Sequence, residues 1–183
     1  MFDKYKLDKI KDVLDFATLN NRLSYLVRYN TTPHTFDEVV ATHCFQVSIT
    51  SLFLYEKYKN KLKINFDKLI KMALIHDEPE AMEFIGDVPH PIKVNNPALK
   101  AALEKSEYES LKSLLGDEYV GYLKEFNECK SIESIIVNLA DVISCLIYSE
   151  SEINRGNKYM ERVKFESEER VLKLLEIVDN ASQ

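Results

Sequence analysis

Glycine and proline are scarce in this chain, four and five residues in 183. No segment sustains an alternation of apolar and polar residues, so a strand-rich fold is excluded and nearly all of the chain is expected to be helical. Low-complexity tracts and internal repeats are also missing. The three cysteines, Cys44, Cys129 and Cys145, are odd in number and form no CxxC pair, which argues against a disulfide framework and for a reducing compartment. The first residues, Met-Phe-Asp-Lys-Tyr-Lys, carry no apolar run of signal-peptide length. No stretch is expected to reach the length of a bilayer span. A cytoplasmic protein with no membrane association is therefore expected. A basic excess is absent too: the formal net charge is −6. That excludes a general binder of nucleic-acid polymers, which needs a positive footprint. A small phosphorylated substrate is still allowed, because a metal and one or two local cations can attract it.

What is present is helical periodicity. The length suits a single domain, residues 1–183, with a core that needs no staples. The expectation is an all-α, single compact bundle of about six to nine helices. The first helix is placed over residues 8–27, with Ile10, Val13, Leu14, Ala17, Leu23 and Leu26 inward and a break near Asn20-Asn21. Residues 28–37 read as a loop, with Thr35 or Asp37 capping a helix that runs to about Tyr58. Asn65 caps the next helix, and Pro79 starts another after a turn at Asp77. Pro89, Pro91 and Pro97 predict irregular backbone. Further helices are expected over 97–115 with Gly116 as the stop, over 117–129, from a Ser131 cap to about Gly156, and over 158–178. Tyr119, Tyr122 and Phe126 form a stripe that would pack either on the core or on a second subunit.

The chemistry gathers around His76-Asp77, which closes the apolar run Leu69, Ile70, Ala73 and Leu74. His43 lies upstream and Asp141 downstream, in an otherwise apolar stretch. Neighbouring residues diverge by about 100° on an ideal helix; the break at Pro79 would let His76 and Asp77 face one ion. A histidine on an apolar face is usually a core residue, and a buried aspartate needs a partner, either an arginine or a metal. Together, His43, His76, Asp77 and Asp141 make a mixed nitrogen/oxygen cage for one divalent ion. Such a set suits Mn, Co, Zn, Ni or Mg and leaves positions for water and a phosphate oxygen. Glu80, one helical turn beyond Asp77, could orient or deprotonate the attacking water. Arg28 offers a forked donor for phosphate, and Tyr29 could meet a base or sugar. Glu78 and Glu83 read as solvated charges.

These pieces resemble the HD-domain phosphohydrolases, and more narrowly the small deoxynucleoside 5′-monophosphatases (5′-nucleotidases) and their phage relatives. The resemblance rests on Arg28-Tyr29, Thr42-His43, the run from Ala73 to Glu80, the octet from Gly86 to Lys93, and Leu139-Ala140-Asp141. It implies an HD-type helical bundle that hydrolyses deoxynucleoside 5′-monophosphates. It also implies His43, His76, Asp77 and Asp141 as metal ligands, with Asp77 and Glu80 at the catalytic centre. Arg28 would hold the 5′-phosphate, and Asp87 the 3′-hydroxyl of a deoxyribose. Tyr29 stands where the monophosphatases carry a tryptophan against the sugar, which leaves sugar discrimination open. Extra cations near the phosphate path would favour the alternative, a deoxynucleoside triphosphate phosphohydrolase, and Lys93 and His90 are the candidates for them. A second alternative is a non-catalytic nucleotide-binding module. Relatives are often dimers, so a homodimer is also expected.

Overall fold

The structure, a computed structural model, describes residues 7–82 and 88–182. In chain order the helices are α1 (Lys11–Asn20), α2 (Val40–Tyr58), α3 (Phe66–Ile75), α4 (Pro79–Met82), α5 (His90–Asn95), α6 (Pro97–Leu115), α7 (Asp117–Glu128), α8 (Ile132–Asn154) and α9 (Glu161–Ala181). Short 3-10 turns follow α1 at Asn21–Ser24 and precede α9 at Lys158–Met160. Among the described residues there is no β-strand, so the all-α expectation holds. Strand-like pairing among the described residues is one antiparallel bridge, Val27 to Val39.

Several helix ends follow from identifiable side chains. Asn65 accepts the Lys68 N–H and starts α3. Ser131 and Ser134 exchange side-chain and backbone bonds in a capping box that starts α8. Gly116 ends α6 with φ of +90°, a conformation that favours glycine. Cys129 ends α7 in the left-handed region, at φ of +51°.

The core lies where α2, α3 and α8 meet, built from Val47, Leu54, Leu69, Met72, Ile136, Leu139 and Ala140. Val178 of α9 closes it. A second cluster, Ile75, Leu111, Val120 and Leu123, ties α3 to α6 and α7. Tyr119, Tyr122 and Phe126 are partly buried and pack against the protein's own core clusters. By length and composition α8 could cross a bilayer, contrary to the expectation that no stretch would. More than half of its apolar window is buried inside the protein, as befits a core helix.

Other expectations need correction. Ile10, Val13 and Leu14 are exposed rather than inward. The chain breaks into the 3-10 turn after Asn20, so Leu23 reaches the core with Val40, Cys44 and Ala81 while α1 rides outside it. Helix α2 begins at Val40 with no side-chain cap. Thr35 is bound elsewhere, and the Val40 N–H is taken by the Leu26 carbonyl through the bridge. The proline-rich segment is not wholly irregular. Helix α5 starts at His90, because a proline in a first turn gives up no needed donor.

Candidate metal centre and phosphate clamp

Helix α3 ends at Ile75, and His76 caps it before the chain turns into Pro79. The turn has the expected effect: His76 Nε2 and Asp77 Oδ2 lie 3.4 Å apart despite being neighbours in sequence. His43, on the buried face of α2, places its Nε2 3.4 Å from His76 Nε2 and 3.4 Å from Asp77 Oδ2. One ligand atom from each of His43, His76 and Asp77 lies within 4.8 Å of the others. Asp141, from α8, joins at one edge with its Oδ1 3.3 Å from His43 Nε2.

The outward-facing ring nitrogens set the tautomers. Ser144 donates its hydroxyl hydrogen to Gln46 Oε1 at 3.0 Å, so it accepts from His43 Nδ1 at 3.1 Å. His76 Nδ1 lies 2.8 Å from the Ala73 carbonyl, which can only accept. Both Nδ1 atoms therefore carry a proton, which leaves Nε2 of each ring, the atom facing the cluster, as the one available to a metal. Two imidazole nitrogens and two carboxylate oxygens gathered at contacts of 3.3–3.4 Å make a donor set that one cation would satisfy. With metal–ligand bonds of about 2.1 Å, tetrahedral ligands sit about 3.4 Å apart. The residues present thus fit one divalent ion.

Electrostatics agree. Burial and the nearby Arg28 charge hold His43 below its ordinary pKa of 6.5, keeping it neutral and able to ligate. Burial acts to raise both aspartates, but His43, His76 and Arg28 outweigh it and keep Asp77 and Asp141 below the usual carboxylate range.

Arg28 stands beside this cluster. Residues 28 and 38 face each other across the bridge, where the Arg28 N–H donates to the Glu38 carbonyl at 2.8 Å. Their side chains also pair, Arg28 Nη1 to Glu38 Oε2 at 3.2 Å, both largely buried. Burial opposes the guanidinium charge, yet the carboxylates of Asp141 and Asp77 help hold it charged. Tyr29 adopts φ of +57°, unusual for a residue with a bulky side chain. Its ring stacks on Tyr148 at 4.8 Å and 6°, and the Arg28 guanidinium lies 5.5 Å from the same ring. Backbone strain of this kind persists only where the surroundings enforce it.

Glu80 lies on α4 with its N–H bonded to the Asp77 carbonyl at 3.1 Å. The charges of Asp77 and Glu80 are both felt at Cys44, next to His43, so Glu80 belongs to this end of the bundle. Glu78 is not solvated as expected. It is buried and accepts from Asn20 at 2.6 Å, and burial pushes its carboxyl up to about 7. Lys93 pairs with Glu107 of α6 at 3.8 Å. Asp87, Glu83 and the side chain of His90 lie outside the described residues. Sequence reasoning passed over Glu38, Ser144, Gln46, Tyr148 and Glu152. The one available signal was the spacing of Asp141, Cys145, Tyr148 and Glu152 along α8.

A helical bundle that gathers two imidazoles and an aspartate, with a second aspartate at their edge and a buried arginine beside them, fits a metal-dependent phosphohydrolase of the HD-domain type. The comparisons narrow the class. Residues 15–180 match the family model described as 5′-deoxynucleotidase YfbR-like, and the chain belongs to that family. A 5′-deoxynucleotidase of Pasteurella multocida is 30% identical over 159 residues, covering 81% of this chain and 79% of that protein. An HD-domain phosphohydrolase from Listeria innocua shares the fold, with a TM-score of 0.76, 22% identity, and 91% and 82% of the two chains covered. The cyanophage S-2L HD phosphohydrolase, solved with dA and one catalytic Zn2+ ion, also shares it. There the TM-score is 0.57 at 16% identity, over 89% of this chain and 96% of that one.

Proposed function

We propose that this chain hydrolyses deoxynucleoside 5′-monophosphates to deoxynucleoside and phosphate in the cytoplasm, with residues 1–183 acting as one catalytic domain. The observation that carries the reading is the convergence of His43, His76, Asp77 and Asp141 beside the buried Arg28. Those four residues hold the divalent ion. When bound, it lowers the pKa of a water and polarises a phosphate oxygen. Glu80 orients the attacking water for in-line approach to phosphorus. Arg28, kept charged and braced by Glu38, receives the phosphoryl group and offsets the charge that grows in the transition state. Asp87 takes the 3′-hydroxyl, Tyr29 bounds the sugar, and Lys93 lends positive charge to the phosphate path. The YfbR-like membership supports a deoxynucleoside as the substrate moiety, and the cyanophage protein that shares the fold holds dA. The chain also pairs as a homodimer in this reading, and light scattering of the purified protein reads its mass directly.

The test is to incubate the chain with Mn2+ or Co2+ and a panel of deoxynucleoside mono- and triphosphates. Single phosphate from monophosphates is expected. Triphosphate or pyrophosphate release would move the assignment to triphosphates, and no release from metal-loaded protein would refute it.

A further inference from the structure

Asp141, Cys145, Tyr148 and Glu152 recur along α8 at intervals of four, three and four residues, so they share one face. Each meets something different. Asp141 reaches the His43 imidazole at 3.3 Å. Tyr148 stacks on Tyr29 and donates its hydroxyl to the Phe36 carbonyl at 2.8 Å. Glu152 receives Thr35 and Phe36. Cys145 sits between the charged halves of the site: its Sγ accepts from Arg28 Nη2 at 3.4 Å and faces Asp141 Oδ1 at 3.9 Å. The arginine thus rests on Glu38 through Nη1 and on a thiol through Nη2.

We propose that Cys145 is the positioning residue for Arg28, fixing the distance between the phosphate clamp and the metal cluster. The inference rests on the reading above, in which Arg28 takes phosphate and Asp141 takes metal. A thiol suits the task because it is a weak partner that adds no charge. A carboxylate there would capture the guanidinium and compete with phosphate. A methyl group would leave Nη2 without its partner beside Asp141 and Asp77, whose fields the guanidinium already feels. Arg28 could then collapse onto the ligand carboxylates and lower affinity for the anion.

Binding of inorganic phosphate to the Mn2+-loaded full chain, followed by calorimetry, tests this without relying on turnover. Cys145→Ala should weaken phosphate by about tenfold, equivalent to about 1.4 kcal/mol, with Mn2+ affinity within about threefold of the parent. Cys145→Ser, which restores a donor and acceptor, should recover most of the loss. In an Arg28→Ala background, Cys145→Ala should change phosphate affinity by less than about twofold, because the residue it acts through is gone. Unchanged phosphate binding in Cys145→Ala overturns the proposal. So does an equal loss in the Arg28→Ala background, or a loss of metal and phosphate together that serine does not restore. If the parent binds phosphate yet releases none from any deoxynucleotide, the hydrolase reading falls, while the same cycle still decides the role of Cys145.

Discussion

Glu152→Gln should loosen the segment that carries Arg28, the proposed phosphate clamp, and the size of the effect can be worked from the contacts. The Glu152 carboxylate is fully buried. It accepts from the Thr35 N–H at 2.8 and 3.0 Å, the Thr35 hydroxyl at 2.7 Å, the Phe36 N–H at 3.2 Å and Asn157 Nδ2 at 2.6 Å. Every partner is a donor, so either orientation of a glutamine amide turns an NH2 toward an N–H. Asn157 cannot flip to relieve this, because its Nδ2 also holds the Pro33 carbonyl and its Oδ1 holds the Tyr159 N–H. Charge-assisted bonds contribute about 1.5–3 kcal/mol each; losing one outright and weakening the others costs about 3 kcal/mol. At about 2–4 °C per kcal/mol for a chain of this size, the melting midpoint should fall by roughly 6–12 °C. Burial acts to raise the Glu152 pKa, but these donors outweigh it and hold the carboxyl below its ordinary 4.5. Its contribution is therefore present above about pH 4.5 and is lost as pH falls through the folded value. Parent and variant should converge on acidification. Thermal melts by circular dichroism at pH 7.5 and pH 4 read both effects, and KM for the monophosphate should rise more than kcat falls, since Arg28 and Tyr29 ride on the loosened segment. A melting point within about 2 °C of the parent at pH 7.5 would refute the reasoning.

Glu80→Gln should keep the metal, measured by elemental analysis, while kcat drops by about 10²–10⁴, the usual worth of a positioned base. Leu139→Ala, at a fully buried core position between α2 and α3, should cost about 2–5 kcal/mol in urea unfolding and leave kcat of the folded fraction unchanged. Because burial and Arg28 hold His43 below its ordinary pKa of 6.5, metal affinity in a dye-competition titration should persist through pH 6.5. It should fall only at more acidic pH, as protons compete for Nε2.

Features set by neighbours in sequence were readable in advance. The Asn65 and Ser131 caps, the Gly116 stop and the break after Asn20 depend on a few adjacent residues, and each lies where its chemistry demands. The four ligand candidates were readable because histidine and aspartate in apolar helical stretches need partners. Supporting groups were not, because their roles come from contacts across the fold. Glu38 and Arg28 meet only when the 27–39 bridge closes, and Ser144 matters only because α8 lies against α2 beside Gln46. Glu78 looked like surface charge until Asn20 was folded over it. Ile10, Val13 and Leu14 carry core-like periodicity, but the break after Asn20 sends Leu23 inward in their place.

The most direct test of the central claim is a diffraction experiment on crystals grown with Mn2+ or Zn2+, recorded at that metal's absorption edge. One anomalous peak per chain is expected, bonded to Nε2 of His43 and His76 and to the carboxylates of Asp77 and Asp141. A peak elsewhere, or none in crystals of protein that hydrolyses nucleotides, would contradict the account.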